Sequence, residues 1–330
     1  MTKLDLAALV TAACFSAMGV APTIAAETLN AATVNSAQLA PKSKSGAASS
    51  AVMLRAQVLL DRADFSPGAI DGKSGENARQ AISAFQKAHG LPADGKLDQA
   101  TFGKLVESGS EPALVEYKIA ESDVKGPFVA KIPKDFEQMA KLDHLGYAGP
   151  LELLSEKFHV SEALLQALNP GQSFDAVGAT ITVPNVRAPR TSGKVVKIEV
   201  DKPGRGVRAF GPGGELVAYY PASVGSKEKP APSGTFGIRR AKFNPTYTYD
   251  PKFAFKGVKA KKKVEIAEGP NNPVGTVWID LTKPSYGIHG TAHPETIGKS
   301  ESHGCVRLTN WDATELAHMV SKATMVVFLD

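Results

Sequence analysis

One cysteine near the carboxyl end of the chain is the side chain best suited to covalent chemistry. Two of the histidines upstream of Cys305 are candidates to serve it, His303 two residues before it and His289 sixteen residues before it. A thiol is a strong nucleophile only after it loses its proton, and a neighbouring imidazole can take that proton. A cysteine with a histidine within reach is therefore the smallest set of groups for acyl transfer.

The two histidines differ in how they can meet the thiol. On a strand, His303 and Cys305 share one face, but their side chains point in nearly parallel directions. His289 can approach from a neighbouring strand, and Gly290 and Gly304 have no side chain to hinder close backbone contact. We therefore predict Cys305 as the nucleophile and His289 as its base, while His303 either braces the strand or contacts substrate. The amides around Gly304 and Cys305 are candidates for an oxyanion hole.

Strands are predicted to carry these residues. Over residues 194–330 hydrophobic residues alternate with polar ones, as at Val196, Ile198 and Val200, which is the period of a half-buried strand. One late helix follows Asn310, the residue predicted to cap it. The pattern predicts a mainly β domain with a two-sheet or barrel-like core. Further strands are predicted at 216–220, 235–239, 277–281, 286–289 and 325–329.

The rest of the chain divides into smaller segments. Residues 51–108 have the period of three short helices, separated by two Asp-Gly-Lys turns. The pattern over residues 117–186 predicts a strand, two helices and a strand, with an insertion over residues 124–145. Residues 27–50 are rich in Ala, Ser, Thr and Asn and predict a disordered linker. Residues 188–193 predict a short hinge.

The first residues have the composition of a secretory signal peptide. A positive charge, a short apolar run over residues 6–20 and small residues precede a cleavage point near Ala25 or Ala26. We predict that residues 1–26 are removed on export and that no transmembrane segment remains after cleavage. A lipoprotein signal ending at Cys14 is the alternative.

Removal of that segment leaves Cys305 as the one cysteine of the mature chain. An unpaired thiol in an exported protein is a candidate reactive group, although a free cysteine is also often a small buried hydrophobic residue. The net charge of +5 and the sequence pI of about 9.0 favour anionic partners such as a wall polymer. No RNP, zinc-finger or helix-turn-helix pattern points to nucleic acid. Neither a His-Glu-x-x-His sequence nor clustered cysteines indicate a metal.

The motif around the cysteine resembles that of YkuD-type L,D-transpeptidases, over residues 194–330. The family pattern of a histidine followed at a distance by Ser/Thr-His-Gly-Cys is present in full. The resemblance implies that Cys305 attacks a carbonyl carbon and that His289 takes the thiol proton and later serves the acceptor amine. It also implies that the Gly290 carbonyl holds the imidazole tautomer in place of a carboxylate.

The same resemblance assigns parts to the residues on either side of the cysteine. Arg307 would bind a substrate carboxylate with its planar fork, with a surface ion pair as the alternative. Tyr286 would contact substrate, with a place in the core or the pocket wall as the alternative. Ser302, His303 and Gly304 would form the active-site loop, where Ser302 is expected to act as a structural hydroxyl.

Two upstream segments resemble modules that bind cell-wall polymers. Residues 51–108 resemble the three-helix peptidoglycan-binding domain, and residues 117–186 are similar to LysM sugar-binding modules, with a helical spacer as the alternative. The predicted fold is therefore multidomain α+β. It has a small three-helix N-terminal domain, a mixed LysM-like middle module and a mainly β C-terminal domain with the L,D-transpeptidase fold. The residues that carry the first resemblance are Asp71-Gly72, Ala81-Ile82, Phe85-Gln86, Gly90-Leu91, Asp94-Gly95 and Thr101.

The resemblance implies an acyltransferase that needs no cofactor and no metal. Its donor would be a tetrapeptide stem of peptidoglycan, whose third residue is transferred to Cys305 while D-alanine leaves. An amine would then resolve the thioester. The expected partners are peptidoglycan stem peptides and glycan, and the acceptor would be another stem, an outer-membrane protein or lipoprotein, a free D-amino acid or water. The expected location is the periplasm, in association with the cell wall.

A cysteine peptidase or amidase and a non-catalytic wall-binding protein are the two alternative functions. In papain-like enzymes the cysteine precedes its histidine, whereas His289 precedes Cys305. His318, which follows Cys305, falls in an amphipathic helix that is predicted to pack against a core. The intact set of His289, Gly290 and Cys305 argues against a non-catalytic protein.

Overall fold

A computed structural model gives the arrangement of the chain. The residues that it describes are 29–40, 48–188, 193–253, 260–302 and 304–330. The predicted signal peptide with its alternative lipoprotein cysteine, most of the predicted hinge, and His303 lie outside these ranges. No helix within them is long and apolar enough to cross a membrane.

A short helix lies where the sequence predicts a disordered linker. Helix α1 (Ala31–Asn35) begins with a capping box formed by Asn30 and Thr33, which satisfies backbone N–H groups at the helix start. The side chain of Val34 is fully buried in the hydrophobic core of the middle module. The prediction of disorder is therefore wrong for residues 29–40, because this segment buries an apolar side chain against a distant part of the chain.

Three helices build the N-terminal module, the number that the sequence predicts for residues 51–108. Ser49 and Asp98 accept hydrogen bonds from backbone N–H groups and cap the first and third of them. Leu60 and Phe85 are fully buried between them. The three helices are α2 (Ser50–Arg62), α3 (Glu76–Ala88) and α4 (Gln99–Glu107).

The middle module has the predicted order of strand, two helices and strand. Its two strands pair in an antiparallel arrangement, and two additional short helices precede the predicted pair, the second of them within the predicted insertion. From that helix, the ring of Phe136 packs edge to face on Tyr247 and Tyr249, with centroids 5.7 and 5.4 Å away. The elements are β1 (Leu114–Lys118), α5 (Glu121–Val124), α6 (Phe136–Met139), α7 (Pro150–Lys157), α8 (Glu162–Leu168) and β2 (Thr180–Pro184).

A nine-stranded sheet forms the C-terminal domain, in the order β5-β4-β3-β13-β7-β10-β11-β12-β6. Strand β7 is ten residues long and pairs with both β13 and β10, so it joins the two halves of the sheet. A separate hairpin is formed by β8 and β9. The strands are β3 (Lys197–Asp201), β4 (Gly206–Phe210), β5 (Leu216–Pro221), β6 (Ser223–Val224), β7 (Gly234–Phe243), β8 (Tyr247–Tyr249), β9 (Val264–Ile266), β10 (Val277–Leu281), β11 (Gly287–His289), β12 (Val306–Arg307) and β13 (Met325–Leu329).

Helix α9 (Asn310–Met319) packs on this sheet and begins one residue earlier than predicted. The cap is Thr309, whose hydroxyl accepts the N–H of Asp312 at 3.1 Å. The prediction that Asn310 caps the helix is therefore wrong. Asn310 is the first helical residue, and its side chain turns toward the loops behind the sheet instead.

The three modules share buried contacts. Tyr219 of β5 is buried in the core of the helical module, and its backbone N–H donates to the Asp64 carbonyl at 2.9 Å. The N–H of Leu145, from the middle module, donates to the carbonyl of Glu268 at 2.8 Å, and the N–H of Asn271 donates to the carbonyl of Leu145 at 3.0 Å. The C-terminal domain is thus held on two sides by chain that precedes it.

Candidate active site

Two short parallel strands bring the predicted site residues together. In the register of β11 and β12, Ile288 lies opposite Val306 and His289 lies opposite Arg307. His289 and Arg307 therefore lie on the same face, and Cys305 directly precedes β12 with its thiol near the backbone of Gly287 and near Arg307. The sequence prediction that His289 approaches from a neighbouring strand agrees with this register.

His289 is held in one tautomer by the residue that follows it. Its ring nitrogen Nδ1 lies 2.7 Å from the carbonyl oxygen of Gly290. A carbonyl oxygen only accepts hydrogen bonds, so Nδ1 carries the proton and Nε2 keeps a free lone pair. The indole of Trp278 stacks on the imidazole at a centroid distance of 5.4 Å and an angle of 21°. The ring therefore has one orientation and one available basic nitrogen.

Burial keeps this imidazole neutral. His289 is 5% exposed, and its desolvation lowers its pKa to about 3, with the positive charge of Arg307 as a further cause. The hydrogen bond with the Gly290 carbonyl acts in the opposite direction and does not offset these effects. At neutral pH His289 is thus a proton acceptor and not an imidazolium ion.

The thiol of Cys305 lies in the wall of the same site. It faces the carbonyl oxygen of Ser285 at 3.8 Å, a long contact for a weak donor. Burial raises the pKa of Cys305, while the backbone of Gly287 and the charge of Arg307 act to lower it. A raised thiol pKa beside a lowered imidazole pKa means that the two groups rest as neutral thiol and neutral imidazole.

The active-site loop is fastened to strand β6 by its backbone and by Ser302. The Ser302 hydroxyl donates to the Cys305 carbonyl and accepts the Gly225 N–H at 2.6 Å. Gly304 has a φ of +102°, and a Cβ there would lie 3.1 Å from the ring of Tyr286. A side chain at this position would therefore be strained and crowded. Tyr286 packs beneath the loop, as a wall of the site.

Arg307 is a half-buried cation whose buried Nε is an unsatisfied hydrogen-bond donor. Its Nε has no hydrogen-bond partner within the described part of the chain. Burial lowers the pKa of Arg307, while the nearby Cys305 acts to raise it. A desolvated charge without a counter-ion is costly, so this geometry favours an anionic ligand beside the thiol.

Tyr247 and Asn310 are two site residues to which the sequence assigns no function. Burial raises the pKa of Tyr247 to about 12, and the proximity of Cys305 adds to the rise. The side-chain oxygen of Asn310 accepts the N–H of Thr291 at 3.1 Å, next to Gly290. The sequence predicts only a helix cap at Asn310 and no role for Tyr247. Among the described residues, no group of three or more His, Cys, Asp or Glu side chains has an arrangement that could hold a metal ion.

Family models match two parts of the chain. The YkuD model, described as the L,D-transpeptidase catalytic domain, matches residues 196–328. A model described as "Putative peptidoglycan binding domain" matches residues 50–105.

Curated relatives agree with these matches. A protein of Bacillus licheniformis named "Putative L,D-transpeptidase YkuD" is 35% identical over 179 residues, which are 53% of this chain and 91% of that protein. The "Probable L,D-transpeptidase YbiS" of Escherichia coli K12 is 28% identical over 191 residues, which are 56% of this chain and 61% of that protein. Among solved structures, an L,D-transpeptidase from Mycobacterium smegmatis aligns with a TM-score of 0.33 and 19% identity, over 47% of this chain and 65% of that one.

The family matches and these relatives show that the chain is an acyltransferase with a peptidoglycan-binding domain. It belongs to the L,D-transpeptidase family, with a catalytic domain of the YkuD type. The multidomain α+β fold predicted from the sequence is confirmed.

The buried neutral state of His289 predicts a specific loss of stability in acid. The pKa is 6.5 when unfolded and about 3 when folded, so the unfolded chain binds more protons between these values. The free energy of unfolding must therefore fall as pH falls through this window. Relative to His289→Asn, the wild-type chain should lose about 2 kcal/mol more between pH 7 and pH 5.

Urea unfolding of both proteins at the two pH values measures this difference, and taking the difference cancels the contribution of other buried acids. His318→Asn, at an exposed histidine of α9, is the matched control and should track the wild type. Equal pH dependence of wild type and His289→Asn would contradict a buried neutral imidazole.

Proposed function

We propose that this chain is an L,D-transpeptidase of peptidoglycan in which Cys305 is the nucleophile and His289 is the base. The observation that carries the proposal is the hydrogen bond from Nδ1 of His289 to the Gly290 carbonyl. It leaves Nε2 as the free basic nitrogen, and both His289 and the thiol lie near Arg307. No carboxylate is needed to set the tautomer, because the peptide carbonyl does so.

The first half-reaction forms a thioester. The thiol of Cys305 turns from the Ser285 carbonyl toward Nε2 of His289, and its proton passes to Nε2 as the sulfur attacks the carbonyl carbon of the third stem residue. The tetrahedral intermediate then collapses. The C–N bond to D-alanine breaks, the leaving nitrogen takes the proton from Nε2, and D-alanine departs. Proton transfer accompanies attack, because the resting pair is neutral.

The second half-reaction returns the enzyme to its starting state. An acceptor amine attacks the thioester carbon, its proton passes to Nε2, and the C–S bond breaks as the thiolate takes that proton back. In both half-reactions negative charge develops on the carbonyl oxygen. The amides of Gly304 and Cys305 are candidates to stabilise it, since neither donates a hydrogen bond to another residue in the described ranges.

Arg307 is proposed to bind a carboxylate of the stem peptide. Its buried and unsatisfied Nε supports this role, since a carboxylate would supply both the missing acceptor and the missing counter-charge. Tyr286 and Tyr247 line the same region, with Tyr286 below Gly304 and Tyr247 close to Cys305. The proposed substrate is therefore a peptide that presents a carboxylate near the reacting carbonyl.

The amine acceptor defines the product. Another stem peptide would give a three-to-three cross-link, and a lysine of an outer-membrane protein or lipoprotein would give protein attachment. We propose that the chain is exported, on the basis of residues 1–26, and acts in the periplasm on the wall. The helical module is proposed to retain the enzyme on glycan.

The middle module offers a second proposed wall contact. A cleft of about 420 Å³ lies between the start of α7 and the loop from α8 to β2. Its lining mixes apolar and amide groups, as suits a sugar ring with its hydroxyls. Leu151, Phe174, Asn169, Gln166 and Gln172 line it. The LysM-like resemblance of this module supports glycan as the occupant.

Replacement of the nucleophile tests the proposal. Cys305→Ala should release no D-alanine from a soluble tetrapeptide above background, because no thioester can form. Its urea unfolding should stay within about 0.5 kcal/mol of wild type, as expected for loss of one half-buried sulfur. Free D-alanine is measured with D-amino acid oxidase, and a fluorescent amine reports transfer.

The wild-type chain with its thiol blocked by iodoacetamide is the matched control and should be equally inactive. D-alanine release by well-folded Cys305→Ala would contradict the mechanism. Release by the wild type with no incorporation of any amine would identify a peptidase in place of a transferase.

The carboxylate role of Arg307 predicts a selective loss. Wild type should acylate faster with a stem that ends in a free carboxylate than with the matching C-terminal amide, by about tenfold to a hundredfold, the value of one charge-assisted hydrogen bond. Arg307→Gln should lose that preference and react with both at the slower rate. Stopped-flow or quenched-flow acylation rates measure this.

Arg240→Gln, at an exposed arginine of β7, removes the same charge away from the site and should keep the wild-type preference. An Arg307→Gln enzyme that still prefers the carboxylate would show that another group binds it.

A further inference from the structure

Asn310 lies at the centre of a buried hydrogen-bond network behind the active site. Its side-chain oxygen accepts the N–H groups of Thr276 and Thr291, both at 3.1 Å. Its side-chain NH₂ group donates to both carboxyl oxygens of Glu156 at 3.0 Å, and to the carbonyl of Pro270 at 3.2 Å. Backbone N–H groups only donate and carbonyls only accept, so the two ends of the Asn310 amide cannot exchange places.

This network reaches His289 through a single peptide unit. The N–H of Thr291 and the C=O of Gly290 belong to the same planar peptide. Asn310 binds its N–H end, and Nδ1 of His289 binds its C=O end at 2.7 Å. The packing is close, since a Cβ on Gly290 would lie 2.3 Å from Oδ1 of Asn310. Any rotation of the Asn310 amide would therefore turn the acceptor that fixes the His289 tautomer.

Glu156 forms the other end of this hydrogen-bond network and belongs to the middle module. It lies on α7 and is 8% exposed. Burial raises its pKa to about 8, and the charge of Glu152 adds to the rise. Hydrogen bonds from Asn310 and Tyr147, and the nearby His159, act in the opposite direction. The carboxyl group is thus mostly neutral at pH 7, and a neutral carboxyl still offers its carbonyl oxygen to Asn310.

We propose that Glu156 is a positioning residue of the active site: by holding the Asn310 amide it fixes the Gly290–Thr291 peptide, and through it the orientation and tautomer of His289. The inference rests on the proposed function only in taking His289 as the base. It gives the middle module a part in catalysis that is separate from glycan binding. What this position requires is a hydrogen-bond acceptor and not a negative charge, so glutamine is the conservative replacement.

The test compares Glu156→Leu with Glu156→Gln in the full chain. Glu156→Leu fills similar space without an acceptor and should lower the rate of acylation at saturating tetrapeptide by about tenfold, with little change in KM. Glu156→Gln should restore most of that rate. In parallel, ¹⁵N NMR of labelled histidine, assigned with His289→Asn, should show the Nδ1–H tautomer in wild type and Glu156→Gln, and altered ring signals in Glu156→Leu.

Leu165→Ala is the matched control, because Leu165 is fully buried in the core of the same module and does not contact Asn310. It should lower stability yet leave both the His289 signals and the rate at wild-type values. If Glu156→Leu does not fold, Asn310→Ala removes the same link at its other end, since alanine can neither accept from the two threonines nor donate to Glu156. The same changes are expected.

The outcomes test two statements separately: the positioning role of Glu156 and the assignment of His289 as the base. Unchanged ring signals and an unchanged rate in a folded Glu156→Leu or Asn310→Ala protein would overturn the positioning role. Altered ring signals with an unchanged rate would support the positioning role of Glu156 and would overturn the assignment of His289 as the base. Equal effects of Leu165→Ala on the ring signals would show that module packing alone is responsible.

Discussion

The hydrogen bond between Nδ1 of His289 and the carbonyl of Gly290 is the interaction on which the rest of the site depends. It is an unusual way to orient a base, because the acceptor is part of the backbone and carries no charge. A buried carboxylate would stabilise the imidazolium and raise the pKa of the histidine. The carbonyl fixes the tautomer while the imidazole stays neutral, so Nε2 keeps its lone pair at ordinary pH.

The orientation of the His289 ring therefore depends on the position of a peptide plane and not on that of a charged side chain. Gly290 and Gly275 both lack a side chain where the Asn310 amide approaches, and a Cβ at either would lie within 2.3 Å of its oxygen. The amide in turn contacts the buried carboxyl of Glu156. Backbone that is crowded and hydrogen-bonded on every side has little freedom to move. The geometry of the base therefore depends on packing well outside the catalytic strands.

The three modules contact one another near helix α9 and strand β5. Asp61 of the helical module lies 3.0 Å from the ring of His159 in the middle module, and that ring stacks on Trp311 of helix α9 at 5.1 Å. Tyr219 links the helical core to the large sheet. The helical module, the middle module and the catalytic domain thus share buried polar and apolar contacts.

Local patterns in the sequence predicted much of this molecule, and contacts between distant segments account for what they missed. Alternation of apolar residues located the strands of the large sheet, and the spacing of His289 and Cys305 located the site on neighbouring strands. Helix α1 was missed because its one buried side chain, Val34, contacts partners far along the chain. Glu156 has no distinguishing neighbours in an amphipathic helix, and its role exists only because Asn310 meets it 154 residues later.

In the proposed mechanism Cys305 carries the acyl group during turnover. The most direct test of this step is intact-mass spectrometry after incubation with a tetrapeptide stem in the absence of an acceptor amine, followed by an acid quench and peptide mapping. The account predicts a mass increase equal to the tetrapeptide less D-alanine, located on the peptide that contains Cys305 and removed by hydroxylamine. A reduced, reagent-accessible Cys305 with no adduct while D-alanine is being released, or an adduct on any other residue, would contradict it.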